Sequence, residues 1–566
     1  MNADTNSHSP RLNRRQTIQI GATGALVAAH LGQQGHAGDP PRGPATAAWM
    51  MPLPLPQPKQ AVVELNPAPA QYPVEGECGR PPHQVWSGAA PVKLYTIHVK
   101  ETLHAFHPQL PSQPIWGYDG TFPGSCIVAR YNEPVMVRIY NQLNPYATGF
   151  GSPEISVHLH NLHCASESDG FAGDYWGSLR HGPGLQRAGY FKDHLFMNRY
   201  AGFAQDPAGI GDPREALGTL WFHDHRMDYT EQNVYRGMAG LYLMFDDIDS
   251  GNERDPNPQA LRLPSGVGRY DVPLVVADFL FDASGYVSYN PLLDNKGHLG
   301  NKVTVNGKIQ PYFRVERRKY RFRLLDASVA RFYEFYLVRG TTSESFTYIA
   351  NDGNLLEAPL TMSSVRLAPG ERADIVIDFS KYPIGTQLFL VNRLLMKDGR
   401  GPEGLSSRGE QLLRFDVAAE ASEPDLSQVP ERLREQPPIN LGEVVRRRRW
   451  EFDKDNAIWT VNKRIFDVEK ASAVIKRGST EIWELRGNGS WHHPVHIHME
   501  EGRILSRNGA PPPPHERGRK DVFVLAPEER VDVLMKFRDF TGKYLMHCHN
   551  LSHEDHAMMA RFDVVP

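Results

Sequence analysis

The stretch Leu367-Ala-Pro-Gly-Glu-Arg-Ala-Asp-Ile375 returns further along the chain as Leu525-Ala-Pro-Glu-Glu-Arg-Val-Asp-Val533. An internal repeat of this kind indicates that one structural unit occurs more than once. The distance between the two copies suits one β-sandwich domain together with its loops. The repeat therefore predicts at least two related sandwich domains in the middle and last parts of the chain.

From about residue 73 onward the chain has the pattern of short β-strands. The runs 134–141 and 320–325 alternate apolar with polar residues, whereas helical periodicity is scarce. A length of 566 residues is also too great for one hydrophobic core. We therefore predict an all-β chain with three consecutive β-sandwich domains and a Pro- and Glu-rich linker, the domains lying at 73–250, 265–417 and 440–566 and the linker at 418–439.

Two segments precede the first predicted domain. Residues 1–38 contain Arg14-Arg15 followed by an uncharged stretch of small residues from Gln16 to Ala29, which is typical of a twin-arginine export signal. A disordered tail with a chance pair of arginines is the alternative. Residues 39–72 are dense in Pro and Ala and are expected to run extended along the surface. The mature protein is thus expected to be periplasmic or secreted, with the twin-arginine export machinery as a partner.

The overall charge of the chain argues against two classes of partner. Lys and Arg total 62 against 65 Asp and Glu, so the net charge of −3 creates no field that would attract nucleic acid or an anionic membrane. The apolar runs are also too short for a membrane-spanning helix. We expect a soluble monomer with no nucleic-acid or membrane partner.

The four cysteines, Cys78, Cys126, Cys164 and Cys548, are too few for a small disulfide-stabilised scaffold. If Cys548 has a chemical role, at most one bridge remains. Cys78 with Cys126 is the pairing we would guess, because connectivity cannot be deduced from sequence alone.

Histidines occur in pairs separated by one residue, more often than chance placement of 24 histidines would give. Each pair lies in or beside a β-like run, and residues i and i+2 of a strand point to the same face. Eight imidazoles can therefore converge. A single pair is more often a surface accident, and imidazole binds copper, zinc, iron and nickel alike. The four pairs are His158/His160, His223/His225, His496/His498 and His547/His549.

The C-terminal segment indicates which metal is bound. Cys548 lies between the histidines of the last pair, His553 follows it, and Met558 comes next, while His493 precedes the third pair. One thiolate, two imidazoles and a distant methionine are the ligand types of a blue copper site. Strand alternation turns Cys548 away from its two histidine neighbours, so the tripeptide can touch two separate metal centres. The alternatives are a buried free thiol at Cys548 and, because Met559 adjoins it, core packing at Met558.

These residues resemble the four copper motifs of the multicopper oxidases, and the resemblance extends from about residue 85 to the end. Within that family the sequence is most similar to bilirubin oxidase and the bacterial spore-coat laccases. The motifs that carry this likeness are Thr219-Leu-Trp-Phe-His-Asp-His225, Asn233-Val-Tyr-Arg-Gly-Met-Ala-Gly-Leu-Tyr242 and His547-Cys-His-Asn-Leu-Ser-His-Glu-Asp-His-Ala-Met-Met559. The resemblance implies three cupredoxin-like Greek-key domains, in agreement with the count reached from the repeat.

The resemblance also implies four copper ions and assigns ligands to each. For the type 1 copper, where electrons enter, the implied ligands are His493, Cys548, His553 and the axial Met558. The resemblance gives the type 2 copper His158 and His496. The second domain contributes no ligand in this scheme. The type 3 pair of coppers would be held by His160, His223, His225, His498, His547 and His549.

Reduction of dioxygen to water consumes protons, so carboxylates are expected beside the cluster of three coppers. Asp169 and Glu554 match acidic positions that relatives use for protons, the alternative being exposed loop carboxylates. Asp224, between two ligands, is expected to support those ligands. His163 and Cys164 have no place in the family's scheme and are interpreted as structural.

The resemblance implies an oxidase that couples one-electron oxidation of organic donors to reduction of dioxygen. Phenols, aromatic amines and bilirubin-like pigments are the expected donors, docking near the exposed edge of His493 or His553, with Trp491 either bordering the pocket or lying in the core. A metallo-oxidase of Fe(II) or Mn(II) is the alternative and would use carboxylates near the type 1 site, for which Glu500, Glu501 and Asp555 are candidates. A copper-free relative with an assembly role is a third hypothesis.

Overall fold

Short β-strands make up most of the regular structure of this chain. The computed structural model describes residues 43–77, 79–88, 90–176, 180–182, 184–290 and 295–566. The predicted export signal at 1–38 lies outside these ranges, as does Cys78. The prediction of an all-β chain is confirmed, and the strands form pairs of sheets in three successive parts of the sequence.

The described residues of the first part contain ten strands. Two four-stranded sheets have the orders β2-β1-β4-β8 and β3-β10-β9-β5, and each contains one parallel pair, β1 with β4 and β3 with β10. The strands are β1 Lys93–His104, β2 Gln113–Tyr118, β3 Cys126–Arg130, β4 Val135–Asn141, β5 Val157–His160, β6 Tyr175–Trp176, β7 Arg180–His181, β8 Phe191–Phe196, β9 Thr219–Asp224 and β10 Ala239–Phe245.

Outside residues 291–294, the second part contains thirteen strands in the sheets β13-β12-β11-β15-β21-β18-β19 and β14-β23-β22-β16-β17, with β20 also on β16. Its last strand ends at Glu420 and so overlaps the linker predicted at 418–439. The strands are β11 Asp271–Phe279, β12 Lys302–Val305, β13 Lys308–Ile309, β14 Tyr312–Arg317, β15 Lys319–Asp326, β16 Tyr333–Arg339, β17 Thr342–Glu344, β18 Phe346–Asn351, β19 Asn354–Met362, β20 Val365–Leu367, β21 Arg372–Asp378, β22 Gln387–Leu395 and β23 Gly404–Glu420.

The third part contains eleven strands in the sheets β25-β24-β27-β32-β29-β30 and β26-β34-β33-β28-β31. Each sheet again has one parallel pair, β24 with β27 and β26 with β34. The strands are β24 Val444–Asp455, β25 Ile458–Val461, β26 Ala473–Lys476, β27 Ser479–Gly487, β28 His493–Ile497, β29 Gly502–Arg507, β30 Arg519–Lys520, β31 Val522–Leu525, β32 Arg530–Phe537, β33 Gly542–Cys548 and β34 Met559–Val565.

The repeated motif occupies the same place in the second and third parts. In each copy a short strand in one sheet, β20 or β31, leads through a turn to a long strand in the other sheet, β21 or β32. The partners also correspond, because β21 lies antiparallel to β15 and β32 lies antiparallel to β27. We call residues 367–372 the domain-2 turn and residues 525–530 the domain-3 turn.

Helices are few among the described residues. The α-helices are α1 Thr230–Tyr235 and α2 Leu551–Asp555, and each follows shortly after a histidine pair. Asp555 accepts hydrogen bonds from the backbone N–H groups of Thr230 and Glu231, which joins the two helices. No helix in the described ranges combines the length and apolar character needed to cross a bilayer. Single-turn 3₁₀ helices lie at Trp86–Gly88, Ser166–Ser168, Ala172–Asp174, Pro213–Glu215, Phe379–Lys381, Leu441–Glu443 and Pro514–Glu516.

The Pro-rich segment lies along the sandwich domains and pairs with their strands through isolated β-bridges. Pro52 pairs with Tyr312, and Pro58 pairs with Cys126. Cys126 is a buried free thiol, so the pairing guessed with Cys78 is not formed in the described structure.

Candidate metal centre

Two pairs of antiparallel strands carry the four histidine pairs, which we call the eight-histidine group. In the first domain β5 lies beside β9, so that His158 is opposite His223. In the third domain β28 lies beside β33, so that His496 is opposite His547. The second residue of three of the pairs lies just beyond the end of its strand. Every side chain of the group is at most 1% exposed.

Ring nitrogens of the two domains meet at the centre of this group. His158 Nε2 lies 3.2 Å from His496 Nε2, and these are the two residues predicted to share the type 2 copper. His225 Nε2 lies 3.1 Å from His547 Nε2. Sets of imidazoles with ligand atoms within 4.8 Å of one another include His158/His160/His223, His158/His496/His498 and His225/His498/His547.

Hydrogen bonds set the tautomer of most of these rings. A carbonyl or carboxylate oxygen can accept only from a protonated ring nitrogen, so an Nδ1–H donor leaves the Nε2 lone pair free for a metal. His498 donates in this way to the carboxylate of Asp169 at 2.8 Å. Backbone carbonyls accept from four others, with donor–acceptor distances of 2.6 Å for His158, 2.7 Å for His223, 3.1 Å for His496 and 3.1 Å for His547.

The remaining nitrogens of this group fit bound metal. Buried polar atoms in proteins are nearly always hydrogen-bonded. Nevertheless, Nε2 of His223 and His498 and both ring nitrogens of His549 have no partner among the described residues. Burial lowers the pKa of His498 to about 3, which keeps its imidazole in the neutral form that metals require. The eight-histidine group therefore fits the trinuclear copper site that the resemblance implies.

A second ligand group forms around Cys548. Its Sγ lies 3.6 Å from His493 Nδ1 and 3.5 Å from His553 Nδ1, and all three side chains are fully buried. His553 donates its Nε2–H to the carbonyl of Lys296 at 2.9 Å, which leaves Nδ1 as the lone-pair nitrogen. Burial raises the pKa of the Cys548 thiol, so the sulfur keeps its proton until a bound cation replaces it and a thiolate forms. Type 1 copper needs this arrangement of one sulfur and two nitrogens.

Met558, rather than its neighbour Met559, packs in the same hydrophobic cluster as Cys548. Met558 is fully buried in the hydrophobic cluster that contains Cys548. Its carbonyl accepts a hydrogen bond from the Cys548 backbone N–H at 3.1 Å. Met559 packs in a different cluster, with Phe171 and Leu545. The placement fits the predicted axial role of Met558. We call His493, Cys548, His553 and Met558 the Cys548 group.

The expected exposed edge of a type 1 histidine is absent from the described structure. His493 and His553 are both 0% exposed. The indole of Trp459 stacks on His553 with a centroid distance of 3.6 Å, and Trp491 meets the same ring edge-on at 5.6 Å. The prediction of a directly accessible imidazole is therefore wrong, because two indoles cover the ring from which electrons would enter.

The predicted proton carriers lie against the eight-histidine group. Asp169 is fully buried and accepts the hydrogen bond from His498. Burial works to raise the pKa of Asp169, but the adjacent His498 and His158 outweigh it and hold that pKa below its ordinary value. Glu554 is also fully buried, with one carboxylate oxygen 3.4 Å from His225 Nδ1 and the other 3.2 Å from His547 Nδ1. Neither residue is an exposed loop carboxylate.

Asp224 supports the loop between two ligands. Its carboxylate accepts from the backbone N–H of Ser156 and from the Asn233 side chain, each at 2.8 Å. Burial raises the pKa of Asp224 to about 7. The side chain makes these bonds to protein groups, as expected for a residue that holds the strand ends of the first domain together.

His163 and Cys164 have separate surroundings. His163 bonds through Nε2 to the Asp539 carboxylate at 2.6 Å and thereby joins the first domain to the third. Cys164 donates from Sγ to Asp169 at 3.8 Å, and its carbonyl accepts from the Tyr544 hydroxyl. Both residues are buried and make protein contacts that suit the structural interpretation.

Several contributors to these sites had no local signal in the sequence. Trp459 covers His553 from a short strand that no motif marks. Asp521 lies beside His160 and His496, but in sequence it is far from both histidine motifs of the first domain and outside those of the third. The domain-2 turn was recognised only as part of a repeat, although it contacts the eight-histidine group. Distance in the chain hides all three from motif-based reasoning.

Comparison with known proteins agrees with this geometry. Two family models described as multicopper oxidase match residues 99–177 and 439–566, which together contain three of the four histidine pairs and Cys548. The chain is 33% identical over 535 residues to bilirubin oxidase from Albifimbria verrucaria, covering 92% of this chain and 82% of that enzyme. It is 31% identical over 522 residues to a laccase from Bacillus subtilis (strain 168), covering 83% of this chain and 94% of the laccase.

The fold is also similar to a solved structure. The multicopper oxidase McoA from the hyperthermophile Aquifex aeolicus superposes with a TM-score of 0.68 at 26% identity, covering 84% of this chain and 97% of that protein.

Proposed function

This chain belongs to the multicopper oxidase family, and we propose that it oxidises organic donors one electron at a time and reduces dioxygen to water. It is an enzyme similar to laccase and bilirubin oxidase. Bound copper would supply the redox chemistry, with one ion in the Cys548 group and three in the eight-histidine group. Phenols, aromatic amines and bilirubin-like pigments are the proposed donors.

The observation that carries the proposed donor class is the aromatic cover of His553. Trp491 lies edge-on to Trp459 at a centroid distance of 4.8 Å, and the two indoles form one aromatic cover over His553. Trp459 is 0% exposed and Trp491 is 8% exposed, so the solvent-facing surface of this cover is limited to Trp491. Lys454 Nζ lies 4.3 Å from the Trp459 ring, and Arg400 Cζ lies 5.2 Å from the Trp491 ring. Both cations lie over indole faces, and their positive charge beside the partly exposed Trp491 favours aromatic donors with phenolate or carboxylate groups.

The route inward from that surface is short. Trp459 stacks on His553, which lies beside Cys548. His547 and His549 are the chain neighbours of Cys548 and belong to the eight-histidine group. Cys548 of the site proposed to accept electrons is therefore bonded directly, on both sides, to residues of the site proposed to use them.

Asp169 and Glu554 are proposed to supply protons at the eight-histidine group. Asp169 holds the Nδ1–H of His498, and Glu554 lies near Nδ1 of both His225 and His547. Each carboxylate thus orients an imidazole and also places an acidic group beside the site where water forms. Exchange of either for its amide keeps the shape and removes the proton carrier.

The carboxylates that a metal-ion donor would need are engaged elsewhere. Glu500 pairs with Arg538 at 2.9 Å, and Glu501 pairs with Arg519 at 2.6 Å. Asp555 accepts backbone hydrogen bonds at the start of α1. Fe(II) and Mn(II) are therefore less favoured as donors than organic molecules.

The test is dioxygen uptake by the copper-loaded protein with a phenol, bilirubin, Fe(II) and Mn(II), measured beside Cys548→Ser. We expect the fastest uptake with the organic donors and none in the variant. Fastest uptake with a metal ion would contradict the donor class, and no uptake with any donor would contradict an oxidase.

A second pair of variants tests the aromatic surface. Trp491→Ala should lower kcat/KM for the phenol and leave the blue colour of the Cys548 group intact. Trp450→Ala is the matched control, because Trp450 is a buried indole of the same cluster that packs on Trp483 at 5.2 Å. Equal losses in both variants would show that Trp491 acts only through packing.

A further inference from the structure

The domain-2 turn lies against the eight-histidine group although the second domain carries no predicted ligand. Gly370 has a φ of +86°, and a Cβ built on it would stand only 2.9 to 3.0 Å from ring atoms of His549. A side chain at this position would have to displace that imidazole. Glycine is therefore required here by both the backbone conformation and the closeness of a ligand ring.

Two residues further on, Arg372 joins all three domains. Its guanidinium donates to the Asp521 carboxylate of the third domain at 2.8 and 3.1 Å. It also donates to the carbonyl of Thr219, the first residue of the strand that carries His223, at 3.2 Å. Within its own domain it donates to the carbonyl of Asp352 at 2.9 Å. The Arg372 side chain is 0% exposed, so water does not compete for these bonds.

Asp521, the partner of Arg372, faces two ligand rings, one from the first domain and one from its own third domain. One of its carboxylate oxygens lies 2.8 Å from His160 Nε2 and 3.4 Å from His496 Nδ1. The backbone carbonyl of Asp521 accepts the Nδ1–H of His496 at 3.1 Å. Any movement of Asp521 therefore changes the position of His496, which is predicted to hold the type 2 copper with His158.

We propose that the domain-2 turn positions the ligands of the trinuclear site: Arg372 holds Asp521 and thereby His160 and His496, while Gly370 leaves the space that His549 occupies. Arg372 and Gly370 are positioning residues in this scheme, since neither is itself a ligand. The second domain thus completes a site whose ligands all come from the first and third domains. This inference rests on the proposed function only where the rate of dioxygen reduction is the readout.

The test compares Arg372→Gln and Arg372→Lys with Arg530→Gln, the corresponding residue of the domain-3 turn. Copper content per chain, the type 2 electron paramagnetic resonance signal and the blue absorption of the Cys548 group are measured on each copper-loaded protein. We expect Arg372→Gln to keep the blue absorption, to lose or alter the type 2 signal and to reduce dioxygen about 10- to 100-fold more slowly. Arg372→Lys should recover part of the type 2 signal, and Arg530→Gln should match the wild type.

Three results would overturn the proposal. An unchanged type 2 signal and copper content in Arg372→Gln would show that the guanidinium has no influence on the site. Loss of the blue absorption together with the type 2 signal would indicate general unfolding instead of positioning, as would equal losses in Arg530→Gln. If Arg372→Gln is insoluble, Arg372→Lys is judged by the same criteria. These copper readouts stay valid if the donor class proposed above is wrong.

Discussion

The domain-2 turn and the domain-3 turn have the same local structure and opposite surroundings. In the first, the Ala368 N–H donates to the Glu371 carboxylate at 2.8 Å, and in the second the Ala526 N–H donates to Glu529 at 2.9 Å. The arginine that follows is buried in one copy, as Arg372, and its side chain is 41% exposed in the other, as Arg530. A repeated sequence therefore specifies the turn, and the position of its domain determines what the turn does.

The residue before the shared glutamate differs for the same reason. Gly370 faces His549, whereas Glu528 stands in the corresponding place with a φ of 56° and accepts a hydrogen bond from the Gly489 N–H. A non-glycine residue tolerates this backbone only at some cost. The domain-3 turn has room for that side chain because no ligand lies against it. Four experiments test this contrast between a buried and an exposed copy.

The largest effect on stability is expected at Lys520, whose Nζ lies 3.0 Å from the carboxylate of Glu371 in the domain-2 turn. Lys520 also pairs with Asp352 at 2.9 Å, and all three side chains are at most 10% exposed. Lys520→Ala leaves the buried Glu371 carboxylate without its cation and leaves Asp352 with Arg372 alone, at 3.7 Å, and it should lower the free energy of unfolding by about 3–5 kcal/mol. Urea unfolding of the copper-loaded protein measures the change.

The control for that variant is Lys536→Ala. Lys536 pairs with Glu443 at 3.2 Å, with side chains 29% and 47% exposed, so its loss should cost only about 0–1 kcal/mol. Similar costs for the two lysines would contradict the distinction between buried and exposed ion pairs.

The next effect concerns the space that Gly370 leaves. Gly370→Ala and Gly385→Ala both place a side chain at positive φ, +86° and +89°, with a backbone cost of about 1–2 kcal/mol each. An added Cβ meets nothing within 4 Å at Gly385 but meets His549 at Gly370. Thermal unfolding should show a larger loss for Gly370→Ala, and its near-ultraviolet type 3 absorption should fall while that of Gly385→Ala persists. Equal behaviour would mean that His549 moves aside without consequence.

A smaller effect, which depends on pH, is expected at His163, where the third domain contacts the first. The contacts that the third domain makes with the second through Arg372 provide the comparison. Burial works to lower the pKa of His163, but Glu500 and Asp539 outweigh it and, against Arg538, raise that pKa above 6.5. Its stabilisation is therefore complete below about pH 6.5 and is lost as the pH rises through the raised value. The Arg372 guanidinium stays protonated throughout this range.

Thermal unfolding between about pH 6 and pH 9 measures this dependence. The wild type should lose stability relative to His163→Gln as the pH rises, because only the wild type gives up a proton at that site. A constant difference between the two proteins would show that His163 is not charged in the folded state.

The smallest effect is expected at Arg530 of the domain-3 turn. Arg530 pairs with Asp532 at 2.8 Å at a surface position, so Arg530→Ala should cost about 0–1 kcal/mol. Because screening weakens exposed pairs, that cost should decrease further when salt is raised from about 0.1 M to 1 M. A cost that is large and independent of salt would place Arg530 in the same class as Arg372.

Sequence reasoning identified the features that depend on local geometry. Strand alternation puts both histidines of a pair on one face and turns Cys548 to the other, and the structure shows this arrangement at β33. The repeat identified equivalent turns in two domains for the same reason, since a turn is specified by the few residues that form it. The domain boundaries, the export signal and the assignment of each ligand to one copper stay predictions.

The sequence by itself determined the all-β class, the repeated domain and the set of side chains able to bind copper, because each follows from patterns a few residues long. Tertiary structure alone decided that His158 faces His496, that Trp459 covers His553 and that Arg372 reaches Asp521. Those contacts join residues far apart in the chain, and they depend on how whole domains pack. The exposed edge predicted for a type 1 histidine was wrong for the same reason, because the indole that buries His553 comes from a distant strand.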